Sequence, residues 1–496
     1  MNTRRQTESQ KFVSDVVWVG VAQVLMSLTG LAVLPALTKS YPTQVYGLWS
    51  QMVVTVDLLS LGIITMQFDS ATVRFLAAEE DRDKRRRAFG TMLWPILAFI
   101  CLIFALSLLL RQSLSILLFT DTQYAYLVPL VFLWASMESL FIFSLSYLRA
   151  RGKIKRFSVI RLASSIARML LIVSLALTGY GFHWLVGSLI AVEALFVAMV
   201  FAMIVWETGL PQFGFVGLKS YISYSAPMIP ETVLSWIVSA SDRYLITHFL
   251  NISQTGIYSA SYVLAGMIGL LSRPIGMVLF PSVSRLWEQG ELLKLKSYFQ
   301  YSMKLFLTLA VPAAVGLYIL SQPLLGILTT SEFVVGGALV LIVAFGLIFG
   351  GIVSINEYII FLVKKTGWLP VISFSGAAIN IVVNIVLIPK IGIMGAAIST
   401  IVSYFVLSVV LTLWGRKEIG YELDFKLLTK VVLATAIMAG CLWFIEVNSI
   451  IGIILVTIIG VVIYGLGLFL LRAFSEEDRR VIKEALSGLR IRFKPD

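Results

Sequence analysis

Charge is scarce in this 496-residue chain: Asp, Glu, Lys and Arg make up 13% of it, against 58% apolar residues. A soluble domain is about a quarter charged and about half apolar. The composition therefore excludes an ordinary soluble domain and places the chain among integral membrane proteins. Histidine and cysteine are scarcer still, with two of each: His183, His248, Cys101 and Cys441. Two scattered histidines exclude a histidine-rich metal centre, and both cysteines fall inside apolar runs, so neither a disulfide nor a metal site nor a cofactor is expected. No segment alternates polar and apolar residues as a barrel strand would. A cleavable leader is not evident either: the first apolar run, 13–38, is longer than the apolar core of a signal and reads as a helix that stays.

What the sequence has is long apolar runs. Stretches able to cross ~30 Å of hydrocarbon lie near 13–38, 46–69, 89–110, 124–148, 157–179, 184–206 and 222–247. Seven more follow near 256–280, 301–322, 333–363, 367–388, 393–414, 427–446 and 449–471. The expected fold is an all-α bundle of fourteen transmembrane helices. With the N-terminus in the cytoplasm, the inside segments hold 31 of the 39 Lys and Arg residues, and the outside segments hold only Lys39, Arg111 and Lys390. That asymmetry is what the positive-inside rule demands. It also accounts for the net charge of +12 without a nucleic-acid partner. Both termini are then cytoplasmic, in a multi-pass protein of the cell membrane with lipids around it.

QVYGLWS at 44–50 matches SQTGIYS at 253–259, aligning Gly47 with Gly256, and SATVRFL at 70–76 matches PSVSRLW at 281–287. Six spans per half give both halves the same orientation, a parallel repeat with its site between two lobes. The expected organisation is an N-terminal lobe over 1–206, a linker over 207–221, a second lobe over 222–414, two further spans over 415–471 and an amphipathic tail over 472–496. The tail opens on Ser475 with Asp478 three residues on, the spacing of a capping box, and reads as an interfacial helix.

The charges inside the spans are the candidates for function. FSVIRLASSIARMLLIVSLAL at 157–177 carries Arg161 and Arg168, seven residues apart and so on nearly the same helix side. Arginine suits an anionic substrate because its planar fork donates two parallel hydrogen bonds and keeps its charge. Internal pairing is the competing reading. At 1.5 Å of rise per residue, Arg168 and Glu138 come out at roughly 16 and 15 Å from the inner boundary, and Glu231 and Arg273 at roughly 13 and 10 Å. Asp57 and Glu193 have no evident partner at their depth, which makes them candidates for ion coupling. Asn380 and Asn384, one turn apart, either glue helices or contact sugar. No outside loop is long; the largest, 111–123, has room for no catalytic domain, so no enzyme is expected.

SAPMIPETVLSWIVSASDRYLITHFLNISQTGIYSASYVLAGMIGLL at 225–271 resembles the seventh and eighth helices of Wzx-like polysaccharide-biosynthesis flippases. These belong to the multidrug/oligosaccharidyl-lipid/polysaccharide superfamily. Asp242-Arg243, Gly256 and Tyr258 carry the likeness, and NIVLIPKIGIMGAAIST at 384–400 resembles the family's stretch between helices eleven and twelve. The resemblance implies two lobes, alternating access and translocation of a polyprenyl-pyrophosphate-linked oligosaccharide, with glycan-assembly proteins as partners. Arg168, Arg273, Arg161, Asn380 and Asn384 would then contact substrate. The lipid II flippases carry arginines in their first helix, and VWVGVAQVLMSLTGLAVLPAL has none. A cation-coupled drug exporter using Asp57 and Glu193 is the alternative, and a membrane enzyme of glycan assembly a more distant one.

Overall fold

A computed structural model describes residues 2–473, with side chains from Trp18 onward. The expected amphipathic tail therefore lies outside the described residues. In chain order the helices are α1 (Asn2–Ser40), α2 (Thr43–Asp57), α3 (Phe68–Leu76), α4 (Arg82–Leu109), α5 (Arg111–Phe119), α6 (Leu127–Ala150), α7 (Ile154–Leu177), α8 (Phe182–Thr208) and α9 (Leu218–Ser225). They continue as α10 (Met228–Phe249), α11 (Ile252–Ala265), α12 (Gly269–Glu288), α13 (Leu292–Leu328), α14 (Ala338–Leu362), α15 (Leu369–Ile391), α16 (Ile393–Ile419), α17 (Phe425–Leu442) and α18 (Ile450–Leu470). No strand occurs among the described residues.

Thirteen of these stretches are long and apolar enough to cross a membrane. The expected seventh span is the one missing from them, because α10 carries Glu231, Asp242 and Arg243 and falls short on apolarity. With α10 the bundle has the fourteen helices expected. Residues 111–119, expected as a loop, form the short helix α5.

The chain divides into two compact units, and they follow packing rather than chain order. One comprises Met1–Val263, Leu328–Val334 and Gly367–Ser403; the other comprises Leu264–Ile327, Val335–Thr366 and Tyr404–Asp496. This partition differs from the two chain-order lobes, since α10, α11 and α15 belong with the first six spans.

In the first unit α6 is the hub, packed against α2, α3, α4, α7 and α8. Its buried Ser136, Ser139 and Ser146 donate to Phe132, Ala135 and Phe143 carbonyls at 2.6–2.7 Å. Small side chains that satisfy themselves in this way let neighbouring helices approach closely without a stranded hydroxyl. The two copies of the repeated motif pack on each other. A Cβ on Gly47 would lie 1.9 Å from the Ile252 carbonyl oxygen, and one on Gly256 would lie 2.4 Å from that of Thr43. One turn on, Ser50 and Ser259 share a hydrogen bond of 2.5 Å. Glycine at both positions is therefore what permits α2 and α11 to touch. The segment after α8 is strapped along α4: Arg86 donates to the Leu210 carbonyl, and Trp94 Nε1 to that of Gln212 at 3.4 Å. Before α4, Asp81 caps the helix by accepting from the Asp83 and Lys84 amides at 2.8 and 3.0 Å. Those two bonds hold its carboxyl below the usual carboxylate range.

In the second unit α12 packs on α14 and α17 on α18. Asn356 donates to Thr412 at 3.0 Å, Tyr464 to the Thr308 carbonyl at 2.7 Å, and Lys304 pairs with Asp424 at 3.1 Å.

Candidate functional site

The seven-residue spacing of the two arginines is realised as a helical face. Phe157, Arg161, Ser165 and Arg168 of α7 line one cavity of about 250 Å³, with Glu138, Leu145 and Arg149 of α6 and Gln23 and Ser27 of α1. The i, i+4, i+8, i+11 pattern on α7 keeps all four side chains on one side. Arg149 and Arg161 flank the Phe157 ring at 5.8 and 6.0 Å. Three guanidinium groups and one carboxylate thus face this space.

Arg168 is shared between two carboxylates. Its Nη1 donates to Glu138 Oε2 at 3.1 Å, as their matched depth allows, and lies 2.5 Å from Glu193 Oε1. The second contact corrects the expectation that Glu193 has no partner. Helix α8 packs against both, antiparallel to α7 and parallel to α6, and its apolar surroundings hide which residue it offers them. Glu193 is fully buried, and its Oε2 has no hydrogen-bond partner. Glu138 and Arg168 keep 19% and 24% of their side chains exposed, which they expose to cavities.

Arg168, Glu138 and Ser165 also line a second cavity of about 310 Å³, whose other walls include Trp49, Asp57 and Trp134. Asp57 in turn borders a third, of about 390 Å³, with Glu231, Ser235, Trp236 and Ser239. The three spaces therefore adjoin one another through shared residues, all inside the first unit. Their charge changes along the way, from three arginines at one end to Asp57 and Glu231 at the other. Asp57 stands where α2 passes into a π-helix, Leu58–Ile64, a turn type that concentrates at functional positions. Glu231 accepts from Ser235 at 3.2 Å and Ser373 at 2.7 Å through Oε1, and its Oε2 has no partner.

The remaining candidates lie elsewhere. Arg273 lines a cavity of about 510 Å³ in the second unit with Gly276, Phe280, Ser354 and Glu357. Asn380 and Asn384 are fully buried and hydrogen-bonded to each other at 2.9 Å, with Ser241 donating to Asn380 at 3.2 Å. They tie α10, α15 and α16 together and border none of the cavities above. Asp242 and Arg243 pair at 2.7 Å inside an aromatic enclosure: Tyr258 donates to Asp242 at 2.5 Å, and Arg243 lies 4.0 Å over the Tyr262 ring. Sequence reasoning missed Arg149, Trp49, Trp134 and Trp236. A basic residue at a helix end looks like topological charge, and a tryptophan in an apolar run looks like packing.

Fold and site together define a polytopic helical membrane protein with a charged internal cavity system. Residues 43–336 match the model of the family described as polysaccharide biosynthesis protein, and the chain belongs to that family. Among curated proteins it is 23% identical over 292 residues to the "Probable low-salt glycan biosynthesis flippase Agl15" of Haloferax volcanii, covering 56% of this chain and 62% of that relative. The match thus spans under two thirds of the relative's length. Among solved structures, the lipid II flippase MurJ in an inward closed conformation superposes with a TM-score of 0.76 at 16% identity, over 92% of this chain and 99% of that one. An inward-facing multidrug resistance MATE family transporter gives a TM-score of 0.60 at 14% identity, over 80% of this chain and 94% of that one. At these identities the two structures show the fold alone.

Proposed function

We propose that the protein is a flippase that moves a polyprenyl-pyrophosphate-linked oligosaccharide from the inner to the outer leaflet of the cell membrane. It acts by alternating access and catalyses no covalent step. One observation carries this reading: the cavity in which Arg149, Arg161 and Arg168 converge. A pyrophosphate is multiply charged and presents pairs of oxygens on each phosphorus, which planar guanidinium forks match bidentately. With the N-terminus in the cytoplasm, as the charge asymmetry requires, Arg149 lies at the cytoplasmic end of α6. The arginine cavity is then where a substrate made in the cytoplasm first meets the protein. Phosphate and glycan stay in the polar cavity while the polyprenyl tail remains in the bilayer. Arg273, in its own cavity of the second unit, is a further candidate for contact with an anionic group.

Arg168→Ala is a poor test, because it would strand Glu193 as an uncompensated buried charge and cost stability. Arg149→Ala with Arg161→Ala avoids that. In vesicles reconstituted with a fluorescent lipid-linked oligosaccharide, this double variant should be present at normal abundance. Its rate of delivery to the far leaflet should fall by about tenfold or more, the worth of one lost charged contact of ~1.4 kcal/mol. Delivery at the normal rate would exclude a phosphate site in this cavity.

A second reading, cation-coupled drug export, is favoured by Asp57 and Glu231 facing the inner cavities. It requires a cationic dye to be exported in a manner that Asp57→Asn abolishes.

A further inference from the structure

Next to the arginine cavity, the second and third cavities have walls of a different kind. Trp49 and Trp134 line one, packed on each other at a centroid distance of 5.5 Å with their planes tilted by 30°, and Trp236 lines the other. Trp236 is fixed in place because its Nε1 donates to the Val54 carbonyl at 2.9 Å. Between the two spaces stands Asp57, bordering both and exposed into them. Glu231, Ser235 and Ser239 supply further acceptors and hydroxyls to the cavity that Trp236 lines.

Flat indole faces alongside carboxylate acceptors and hydroxyls match one ligand chemistry closely. A pyranose ring presents apolar C–H faces, which pack on aromatic rings, and a rim of hydroxyl donors, which carboxylates accept in pairs. Cavities of about 310 and 390 Å³ fall within the ~300–1,000 Å³ of small-molecule sites. The carboxylates also say what the ring does not carry. A uronic acid would set a like charge against Asp57 and Glu231, and such juxtaposition is strongly unfavourable.

We propose that the two cavities that meet at Asp57 form a glycan subsite for uncharged pyranose residues, adjoining the phosphate site and occupied by the same molecule. The inference rests on the flippase reading and specifies what that reading leaves open, the class of the first sugars. The order of the cavities matches the order of groups in the substrate: phosphate at Arg149, Arg161 and Arg168, then sugar at Trp134, Asp57 and Trp236. Acidic sugars, if the glycan has any, lie further from the lipid.

The test is calorimetric titration of the purified full chain in lipid nanodiscs. Three probes are used: farnesyl pyrophosphate, farnesyl-pyrophosphoryl-N-acetylglucosamine and its glucuronic acid counterpart. The N-acetylglucosamine probe should bind about tenfold tighter than bare farnesyl pyrophosphate, consistent with one or two aromatic contacts of ~0.5–1.5 kcal/mol each. The glucuronic acid probe should show no such gain. Trp134→Leu and Asp57→Asn should each remove the gain while still binding farnesyl pyrophosphate, and Asp57→Asn alone decides the matter if Trp134→Leu does not fold. Equal binding of the bare and N-acetylglucosamine probes overturns the sugar subsite and leaves the phosphate site standing. An equal gain from glucuronic acid overturns its restriction to uncharged sugars. Loss of both ligands in both variants assigns these residues to structure and overturns the subsite. Failure of any probe to bind overturns the phosphate site and the subsite together.

Discussion

Two arginines of apolar spans, Arg168 and Arg243, stand in the first unit and have opposite surroundings. Arg243 is enclosed. Asp242 is 2.7 Å away, the Ser239 carbonyl accepts from it at 2.8 Å, Tyr262 lies beneath it, and 8% of the side chain is exposed. Asp242 is itself held by Tyr258. Arg168 has two carboxylates within ion-pair distance but stands between two cavities, and three times as much of its side chain is open. A buried charge whose partners surround it has nothing left to offer a ligand. A charge whose partners sit on one side, with a water-sized space on the other, can exchange a partner. Arg243 therefore reads as architecture and Arg168 as machinery, although both lie in apolar spans and either could have been singled out from the sequence.

The contrast breaks most visibly at Asp242. Asp242→Ala leaves Arg243 without its counter-ion in a dry site, and breaking such a pair costs about 3–5 kcal/mol. The expected result is a large loss of folded protein and a lowered midpoint in thermal unfolding of the purified chain. An unchanged midpoint would mean that the aromatic enclosure alone suffices. The contrast is sharpened at Glu193. Glu193→Gln removes one of the two carboxylates that compete with a phosphate for Arg168, while the amide fills the same volume. Farnesyl pyrophosphate should bind roughly fivefold tighter, on the scale of ~1 kcal/mol for a released ion pair. Weaker binding would show instead that Glu193 orients Arg168 for its ligand. Glu138→Gln should act in the same direction by less, because Glu138 is partly exposed to the cavities and screened.

Much of this was legible in the sequence, and what was not has identifiable physical causes. Span positions follow from apolar length, and the shared face of Arg161 and Arg168 from helical periodicity. Antiparallel neighbours at equal depth were enough to bring Glu138 to Arg168. The repeated glycine showed as a faint internal match, and the structure gives it a reason, since Gly47 and Gly256 are where α2 and α11 touch. Depth alone could not find Glu193, because its pairing with Arg168 depends on the rotation of α8 about its axis. The rotation of a helix that is apolar all round is set by packing and leaves no periodic trace. The compact units were hidden for a related reason: α10 joins the first six spans, and α15 joins α10, through contacts of high sequence separation, such as Trp236 with Val54 and Ser241 with Asn380. Polar groups at the walls of a cavity and polar groups sealed in a core draw on the same residue types, so the tryptophans gave no signal until the cavity was seen.

The central claim is that the cavity at Arg168, and not the enclosure at Arg243, receives the phosphate. A photoreactive phenylalanine analogue in place of Phe157, between Arg149 and Arg161, and another in place of Tyr262, over Arg243, compare the two directly. In membranes supplied with radiolabelled polyprenyl pyrophosphate, the probe at position 157 should crosslink to the lipid and lose the crosslink when inorganic pyrophosphate is added. The probe at position 262 should give none. Labelling at position 262 that pyrophosphate suppresses, with none at position 157, would contradict the account.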